Sequence, residues 1–165
     1  MSLALTNDER DHFLAALHVG VISMEDPGRG PLTVPIWYMY EPGGELWVIT
    51  DRDSRKGRLL AVGKRISLVA QTETAPYQYV SVEGPVVSVG PSHRDRDTLP
   101  MAQRYLGEEL GRQYVAATSD AREARGSIVV RMRPERWLTV DYTKQFAAPP
   151  ASYGPTRGDR FRPSV

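Results

Sequence analysis

The chain consists of short β-rich stretches separated by Gly and Pro, and this pattern restricts its fold. Stretches rich in β-branched and aromatic residues lie at 18–24, 32–40, 45–50, 66–72, 77–89, 128–132 and 137–142. Most connections between them are short, which favours antiparallel neighbours, and no repeated strand–helix–strand unit supports a doubly wound sheet. The sequence therefore predicts a mainly β fold with short helices, in which six or seven largely antiparallel strands form a closed or nearly closed barrel.

Proline and glycine positions add detail to this barrel. Pro35 lies inside the second stretch and has no N–H to donate to a ladder, which predicts an edge strand or a bulge there. Pro42-Gly43-Gly44 predicts a hairpin onto the third stretch. Gly84-Pro85 predicts a bend within the long fifth stretch.

Capping residues and helical periodicity predict the helices. Thr6 is a capping residue, and an apolar stripe at Phe13, Leu14 and Leu17 follows it, so the first helix is expected over 7–17. Further helices are expected at 55–62 and at 95–117, the latter interrupted near 107–111, whereas 118–126 is expected to be a loop.

Composition excludes several classes of function. The net charge of +1 creates no general field for nucleic acid or an anionic membrane, so neither is expected as a partner. The absence of Cys excludes disulfides and thiolate chemistry, and the three His residues lack zinc-site spacing, so no metal is expected. No apolar run reaches the ~18 residues of a membrane span. No signal peptide is recognised either, so a cytoplasmic location is expected.

Length and composition also predict the domain organisation. Residues 1–145 are the size of one ordinary domain. Residues 146–165 are rich in Pro, Ala and Arg, so they are expected to form a tail that is mobile or packed on a partner subunit.

The segment 49–58 combines the features of an anion site. A strand ends, a polar turn follows, and a helix begins with four cations within seven residues. A helix N-terminus presents unpaired N–H groups, Thr50 and Ser54 add hydroxyls, and Arg55 and Lys56 add positive charge suited to a phosphate. The alternative interpretation is a solvated basic helix whose two Asp residues neutralise part of the charge.

Two further segments carry groups suited to a ligand. If Pro35 removes a ladder donor, backbone N–H and C=O groups along Val34–Trp37 are free to bind the imide edge of a planar heteroaromatic ring. The alternative is that Trp37 is a core aromatic residue. Gln71 and Thr72 lie at a strand end, where polar groups near a barrel mouth can reach a cofactor edge, or where they are ordinary loop residues.

No catalytic side-chain motif accompanies these groups. The sequence has no G-x-S-x-G elbow, no G-x-G-x-x-G and no G-x-x-x-x-G-K-[ST]. Nucleotide hydrolysis and ordinary dinucleotide binding are therefore disfavoured. No catalytic residue is assigned, which is consistent with chemistry carried by a cofactor.

The order of the stretches PLTVPIWYMYEPGGELWVIT, SRKGRLL, RISLVAQTE and YVSVEGPV is characteristic. With the later MAQRYLGEELGRQYV and VVRMRPERWLTVDY, the chain resembles the pyridoxamine 5'-phosphate oxidase-like superfamily over residues 8–142. Within that superfamily it is most similar to the actinobacterial flavin/deazaflavin oxidoreductases. The resemblance implies an FMN-binding split β-barrel that forms a homodimer, with two cofactor sites at the subunit interface.

The resemblance also implies which residues bind the cofactor. Lys56 matches the lysine of an S-x-K-x-R-x-L helix start that binds the cofactor phosphate, and Arg58 is at the second basic position. Thr50 and Ser54 match hydroxyl positions near the phosphate. The remaining implied contacts are those along the ring from Val34, Pro35, Ile36 and Trp37, those from the next strand at Gln71 and Thr72, and that from the partner subunit at Trp137.

The resemblance implies FMN or the deazaflavin F420 as the cofactor, without choosing between them. Extra cations at Arg52 and Arg55 suit the longer anionic tail of F420 but do not exclude FMN. The expected activity is hydride transfer to or from a small conjugated molecule. Counterparts of the substrate-phosphate residues of true pyridoxamine 5'-phosphate oxidases are not found, so vitamin B6 synthesis is not inferred. A non-catalytic flavin-binding or sequestering protein and a haem or other tetrapyrrole-binding barrel are the alternatives.

Overall fold

The computed structural model describes residues 2–146, and that range contains eight strands and five helices. The strands are Gly20–Met24 (β1), Leu32–Ile36 (β2), Tyr38–Tyr40 (β3), Leu46–Asp51 (β4), Arg65–Gln71 (β5), Gln78–Pro91 (β6), Ser127–Met132 (β7) and Arg136–Asp141 (β8). The helices are Asn7–Ala15 (α1), Arg55–Leu59 (α2), Leu99–Leu106 (α3), Glu108–Ala124 (α4) and Thr143–Phe146 (α5), and a π-helical turn at Arg94–Thr98 precedes α3. The predicted tail lies outside the described residues, apart from Phe146.

The strands pair in antiparallel fashion and form the predicted split β-barrel. Their hydrogen-bonded order is β2-β1-β5-β6-β7-β4-β3, with β8 paired to β6 beside this path. β2 and β3 stand at opposite ends of the path, yet Trp37 alone separates them along the chain. The path therefore turns back on itself at Trp37. The 32–40 stretch, predicted as one strand, is two, which raises the count to eight. Pro35 lies on a strand at the end of the path, as predicted.

The long strand β6 serves two parts of the barrel. Its first half pairs with β5 on one side and β8 on the other, and its second half pairs with β7. The change of partners occurs around Gly84-Pro85, where the sequence predicts a bend. The register against β7 shifts between Val86 and Ser88. Gly84 is close to the backbone of the β7–β8 connection, because a Cβ built on it would lie 1.8 Å from the carbonyl oxygen of Arg133.

Alternate strand residues face a common interior, as the period of two requires. Tyr38 is a large, fully buried side chain, and its hydroxyl donates a 2.8 Å hydrogen bond to the carbonyl of Leu14 in α1. Leu14 and Phe13 are themselves buried in this core. Helix α1 therefore covers one end of the barrel interior.

The helix predictions are correct in location and less so in extent. Thr6 and Glu9 form a reciprocal capping box at the start of α1. Helix α1 ends at Ala15 because Ala16 adopts an extended conformation, and Leu17 is 56% exposed, so its assignment to the buried stripe is wrong. Helix α2 ends at Leu59 rather than at 62. Gly107, with a φ of 83°, separates α3 from α4 where an interruption is expected.

The predicted loop at 118–126 is instead helical as far as Ala124. The Thr118 hydroxyl donates to the carbonyl of Tyr114 (2.8 Å), and the Ser119 hydroxyl donates to that of Val115 (2.6 Å). These bonds to the preceding turn satisfy the two hydroxyl groups within the helix.

Two negative findings hold for residues 2–146. No helix in that range is long and apolar enough to cross a membrane. No group of three or more His, Cys, Asp or Glu side chains in that range is arranged to hold a metal ion.

Candidate functional site

A cavity of about 300 Å³ lies at the break between β2 and β3, and we call it the Trp37 cavity. Strand residues form one wall, and α3, α4 and the π-helical turn form the other. It is lined by Val19, Pro35, Ile36, Trp37, Ile49, Thr98, Met101, Ala102, Tyr114 and Arg122. Three of the four residues predicted along a cofactor ring, Pro35 to Trp37, therefore meet in one cavity. Val34 is directed towards the core instead.

Trp37 is the central residue of this cavity. Its ring stacks on that of Tyr105 with centroids 4.9 Å apart and planes 3° from parallel, and the ring of Tyr114 is tilted against it at 5.8 Å. Trp37 lies between the two strand ladders, at the point where the chain passes from β2 to β3. The break therefore places an aromatic surface beside Pro35 and Ile36, and the backbone contacts to a ring that the sequence predicts here stay a prediction.

Tyr105 of α3 fixes the backbone at this break. Its hydroxyl accepts a 3.0 Å hydrogen bond from the N–H of Tyr38. Its single hydrogen has two acceptors in reach, the carbonyl of His18 at 2.8 Å and that of Tyr38 at 3.0 Å. Burial raises the pKa of Tyr105, although the hydrogen bond from the Tyr38 backbone and the positive charge of Arg104 partly offset that effect. The hydroxyl therefore acts as a neutral bridge between α3 and the barrel.

We expect Tyr105→Phe to lower the free energy of unfolding by about 2 kcal/mol, because it leaves the Tyr38 N–H without its partner. The phenyl ring keeps the stack on Trp37, so tryptophan fluorescence of the folded protein should change little. Urea unfolding followed by circular dichroism measures the effect. Tyr77→Phe is the matched control, since Tyr77 is 52% exposed. Equal stability of the two variants would show that the Tyr105 hydroxyl does not hold the break.

A second cavity, of about 410 Å³, adjoins the first, and we call it the Ser127 cavity. Thr98 and Arg122 line both cavities, so the two are parts of one groove. The other lining residues of the second cavity are Pro91, Ser92, His93, Arg94, Val115, Ser119, Glu123, Gly126 and Ser127. The groove is thus largely apolar and aromatic at one end and polar at the other.

The predicted anion segment forms the end of β4 and the start of α2. Ser54 caps α2: its hydroxyl accepts from the N–H of Gly57 (3.0 Å) and lies 3.1 Å from the Thr50 hydroxyl. Arg55 forms an ion pair with Asp26. Arg58 donates to the carbonyl of Asp53. Lys56 is partly buried, and its ammonium group makes no hydrogen bond or ion pair with the described residues.

The remaining predicted residues lie elsewhere. Gln71 and Thr72 line a third cavity, of about 640 Å³, whose wall also includes Pro35. Trp137 packs against the core, under the guanidinium of Arg10 at 4.0 Å and edge-on to Tyr40 at 6.2 Å. It lines none of these three cavities, so its predicted contact across a subunit interface stays a prediction.

His18 lies at the rim of the third cavity and stacks on Phe13 with centroids 4.4 Å apart. Burial lowers the pKa of His18, and the positive charge of Arg104 lowers it further. The imidazole is therefore held in its neutral form against α1, which is consistent with a structural role.

Sequence reasoning missed the helical wall of the groove. Met101, Ala102, Tyr114 and Arg122 come from α3 and α4, whereas the candidate residues were all chosen from strands, turns and α2. A signal was available: residues 111, 114, 115, 118 and 122 recur at helical spacing and include an aromatic residue and a cation.

Comparison with known proteins identifies relatives of this architecture. The family model described as "Pyridoxamine 5'-phosphate oxidase" matches residues 6–141. A conserved hypothetical protein from Mycobacterium tuberculosis has a TM-score of 0.68 at 21% identity, covering 94% of this chain and 96% of its own. An F420 reductase has a TM-score of 0.61 at 16% identity, covering 78% and 94% respectively. A FAD-binding protein from Mesorhizobium loti has a TM-score of 0.53 at 18% identity, covering 82% and 94%. No curated protein matches the chain significantly.

Proposed function

The chain belongs to the pyridoxamine 5'-phosphate oxidase family, and on that basis we propose that it is an oxidoreductase that binds FMN or F420. The proposed reaction is hydride transfer to or from a small conjugated molecule. The observation that carries the proposal is the Trp37 cavity, in which Pro35 and Ile36 adjoin an aromatic surface formed by Trp37 and Tyr114. Structural neighbours that are an F420 reductase and a FAD-binding protein support the same class of cofactor.

The chain's own residues would bind and orient a tricyclic ring at the Trp37 cavity. The imide edge of such a ring carries an N–H and carbonyl groups, and backbone groups along residues 34–37 are their proposed partners. Pro35 and Ile36 line the adjacent wall and exclude water from one side of the ring. The cofactor supplies the hydride chemistry, while the protein supplies orientation and electrostatics.

Lys56 is the proposed ligand of the cofactor phosphate. Two of the other cations around it are engaged, since Arg55 pairs with Asp26 and Arg58 binds a backbone carbonyl. Lys56 lies in the first turn of α2 and has no such partner within residues 2–146. An ammonium group with free donors binds phosphate through charge-assisted hydrogen bonds. Thr50 and Ser54 bond to each other, so they support the α2 start and are weaker candidates for direct phosphate contact.

We propose a homodimer whose interface includes the outer face of β1, β2, β5, β6 and β8. Pro35, Val21, Val69, Ser81 and Leu138 lie opposite one another in a row across five strands. All but the serine are apolar, and Leu138 is 63% exposed. Contiguous exposed apolar surface of this kind is typical of protein interfaces. The row includes Pro35, so a second copy placed here would also border the proposed cofactor site.

Titration of the purified protein with FMN and with F420, followed by fluorescence, tests the proposal. We expect one cofactor to bind at micromolar concentration or tighter. Lys56→Ala should weaken that binding by about tenfold, or about 1.4 kcal/mol, because it removes a charge-assisted contact. Lys64→Ala is the matched control, since Lys64 is 56% exposed and its nearest carboxylate is Glu25 at 3.4 Å. It should leave the affinity unchanged.

The outcomes separate the alternatives. If neither cofactor binds at micromolar concentration, the proposal fails. If a cofactor binds but is not turned over when both a reductant and an electron acceptor are supplied, the chain is a flavin-binding or sequestering protein. A haem absorption band that appears on titration with haem, without any flavin binding, would assign the barrel to a tetrapyrrole.

A further inference from the structure

Arg122 stands where the two parts of the groove meet. Its side chain lines both the Trp37 cavity and the Ser127 cavity. One guanidinium nitrogen donates a 2.7 Å hydrogen bond to the Tyr114 hydroxyl, and the guanidinium carbon lies 5.5 Å from the centre of the Tyr114 ring. Tyr114 therefore fixes the guanidinium group at the junction with most of its five N–H donors still available.

No carboxylate neutralises this cation within residues 2–146. Other arginines of the same helical segment are paired: Arg112 with Glu108 and Glu109 at 2.7 and 3.0 Å, and Arg125 with Asp51 at 3.4 Å. Glu123 also lines the Ser127 cavity, but it forms no ion pair with its neighbour Arg122. A partly buried guanidinium group without a counter-ion is available to bind an anion through charge-assisted hydrogen bonds.

The polar end of the groove supplies further donors. The Ser127 hydroxyl oxygen is buried and has no hydrogen-bond partner among the described residues, although Ser127 lines the cavity. Buried polar atoms are nearly always paired in proteins, so this hydroxyl is available to a polar group bound in the cavity. His93 and Arg94 line the same wall and add further hydrogen-bonding groups, although Arg94 lies 3.9 Å from the carboxylate of Asp95.

We propose that Arg122 binds the anionic group of a planar ligand whose apolar part lies against Trp37 and Tyr114. The ligand class is an aromatic or conjugated molecule with a carboxylate or phosphate. The proposal rests on the proposed function, because it takes the groove to be the site of an oxidoreductase. A guanidinium group binds a carboxylate through two parallel hydrogen bonds. Because the apolar wall and the cation are at different ends of the groove, the ligand would bind in one orientation, with its anionic group at Arg122.

A matched pair of probes tests this site without any cofactor. The purified protein is titrated with 2-naphthoate and with the neutral 2-naphthalenemethanol, and binding is followed by calorimetry. Wild type should bind naphthoate more tightly. Arg122→Met should weaken naphthoate binding by tenfold or more while changing naphthalenemethanol binding less than twofold. Arg122→Lys should restore part of the preference, and Arg112→Met, on the solvent side of the same helix, should have no effect.

Several results would overturn the proposal. The first is that wild type binds both probes equally well. The second is that Arg122→Met still prefers naphthoate, and the third is that Arg122→Met loses affinity for both probes to the same extent. Circular dichroism of Arg122→Met checks its fold, and if it is misfolded, the Arg122→Lys and wild-type titrations still decide.

Repeating the titrations with bound FMN or F420 separates two sources of the anion. Competition assigns the anion to the cofactor, and undiminished naphthoate binding assigns it to the substrate. Because the apo-protein measurement needs no cofactor, its result is independent of whether the proposed function holds.

Discussion

Replacing Gly84 with Ala should reduce the free energy of unfolding by about 3 kcal/mol or prevent folding. The added Cβ would lie 1.8 Å from the Arg133 carbonyl oxygen and 3.1 Å from the sulfur of Met132. The carbonyl cannot withdraw easily, because the Arg133 N–H donates to Pro85 (3.1 Å) and the Glu135 N–H donates to Glu83 (2.9 Å). Overpacking against fixed backbone costs about 1–3 kcal/mol, and more where nothing can shift.

Gly90→Ala provides the control for this expectation. Gly90 lies in the same strand, β6, and a Cβ there has nothing within 4 Å. Alanine in a strand is otherwise about 0.5–1 kcal/mol more favourable than glycine, so this variant should be as stable as wild type or slightly more so. Thermal and urea unfolding of both variants measures the difference. If Gly84→Ala also unfolds like wild type, the close approach of the β7–β8 connection to β6 is wrong.

The strand pattern was predictable because it depends on local signals. Local residue types predict the alternation of apolar residues along the strands. They also predict the turn at Pro42-Gly43-Gly44 and the bend at Gly84-Pro85. The break at Trp37 was not predictable in this way. Residues on both sides of it favour strands, and the division arises because the two halves pair with different neighbours, β2 with β1 and β3 with β4. This division depends on how the strands pair across the whole barrel and not on the local sequence.

The candidate site was predictable only in part, for a related reason. Residue type alone identifies the segment around Pro35 and the cations of α2 as candidates in the sequence. The structure places Pro35, Ile36 and Trp37 around one cavity. Arg122 could not be found in the same way, because it lies in a segment predicted as loop. Helix α4 continues there as far as Ala124, and only the fold brings its inner face to Trp37. The helical spacing of residues 111–122 indicates a helix, but it does not indicate which cavity the inner face of that helix lines.

Replacing Gly57 with Ala compares two opposing effects at the proposed phosphate site: the higher helix propensity of alanine and the steric clash of its Cβ with nearby backbone. Gly57 lies inside α2, where alanine is favoured by about 1 kcal/mol in an isolated helix. In this fold, however, a Cβ at position 57 would lie 2.2 Å from the carbonyl oxygen of Asp51 and 2.5 Å from that of Arg52. The Asp51 carbonyl also accepts hydrogen bonds from the N–H and hydroxyl of Ser54, at 3.1 and 2.7 Å, so it is held in place.

We therefore expect Gly57→Ala to lower the free energy of unfolding by about 2 kcal/mol and to displace α2 together with Lys56. On the proposed function, FMN or F420 affinity should fall at least as far as in Lys56→Ala. Gly30→Ala is the control, since a Cβ there has nothing within 4 Å and should change neither quantity. Urea unfolding and cofactor titration report the two effects separately. A stabilised Gly57→Ala would show that helix propensity dominates and that the Asp51–Ser54 turn yields. A destabilised variant with unchanged cofactor affinity would remove α2 from the binding site while leaving its packing role intact.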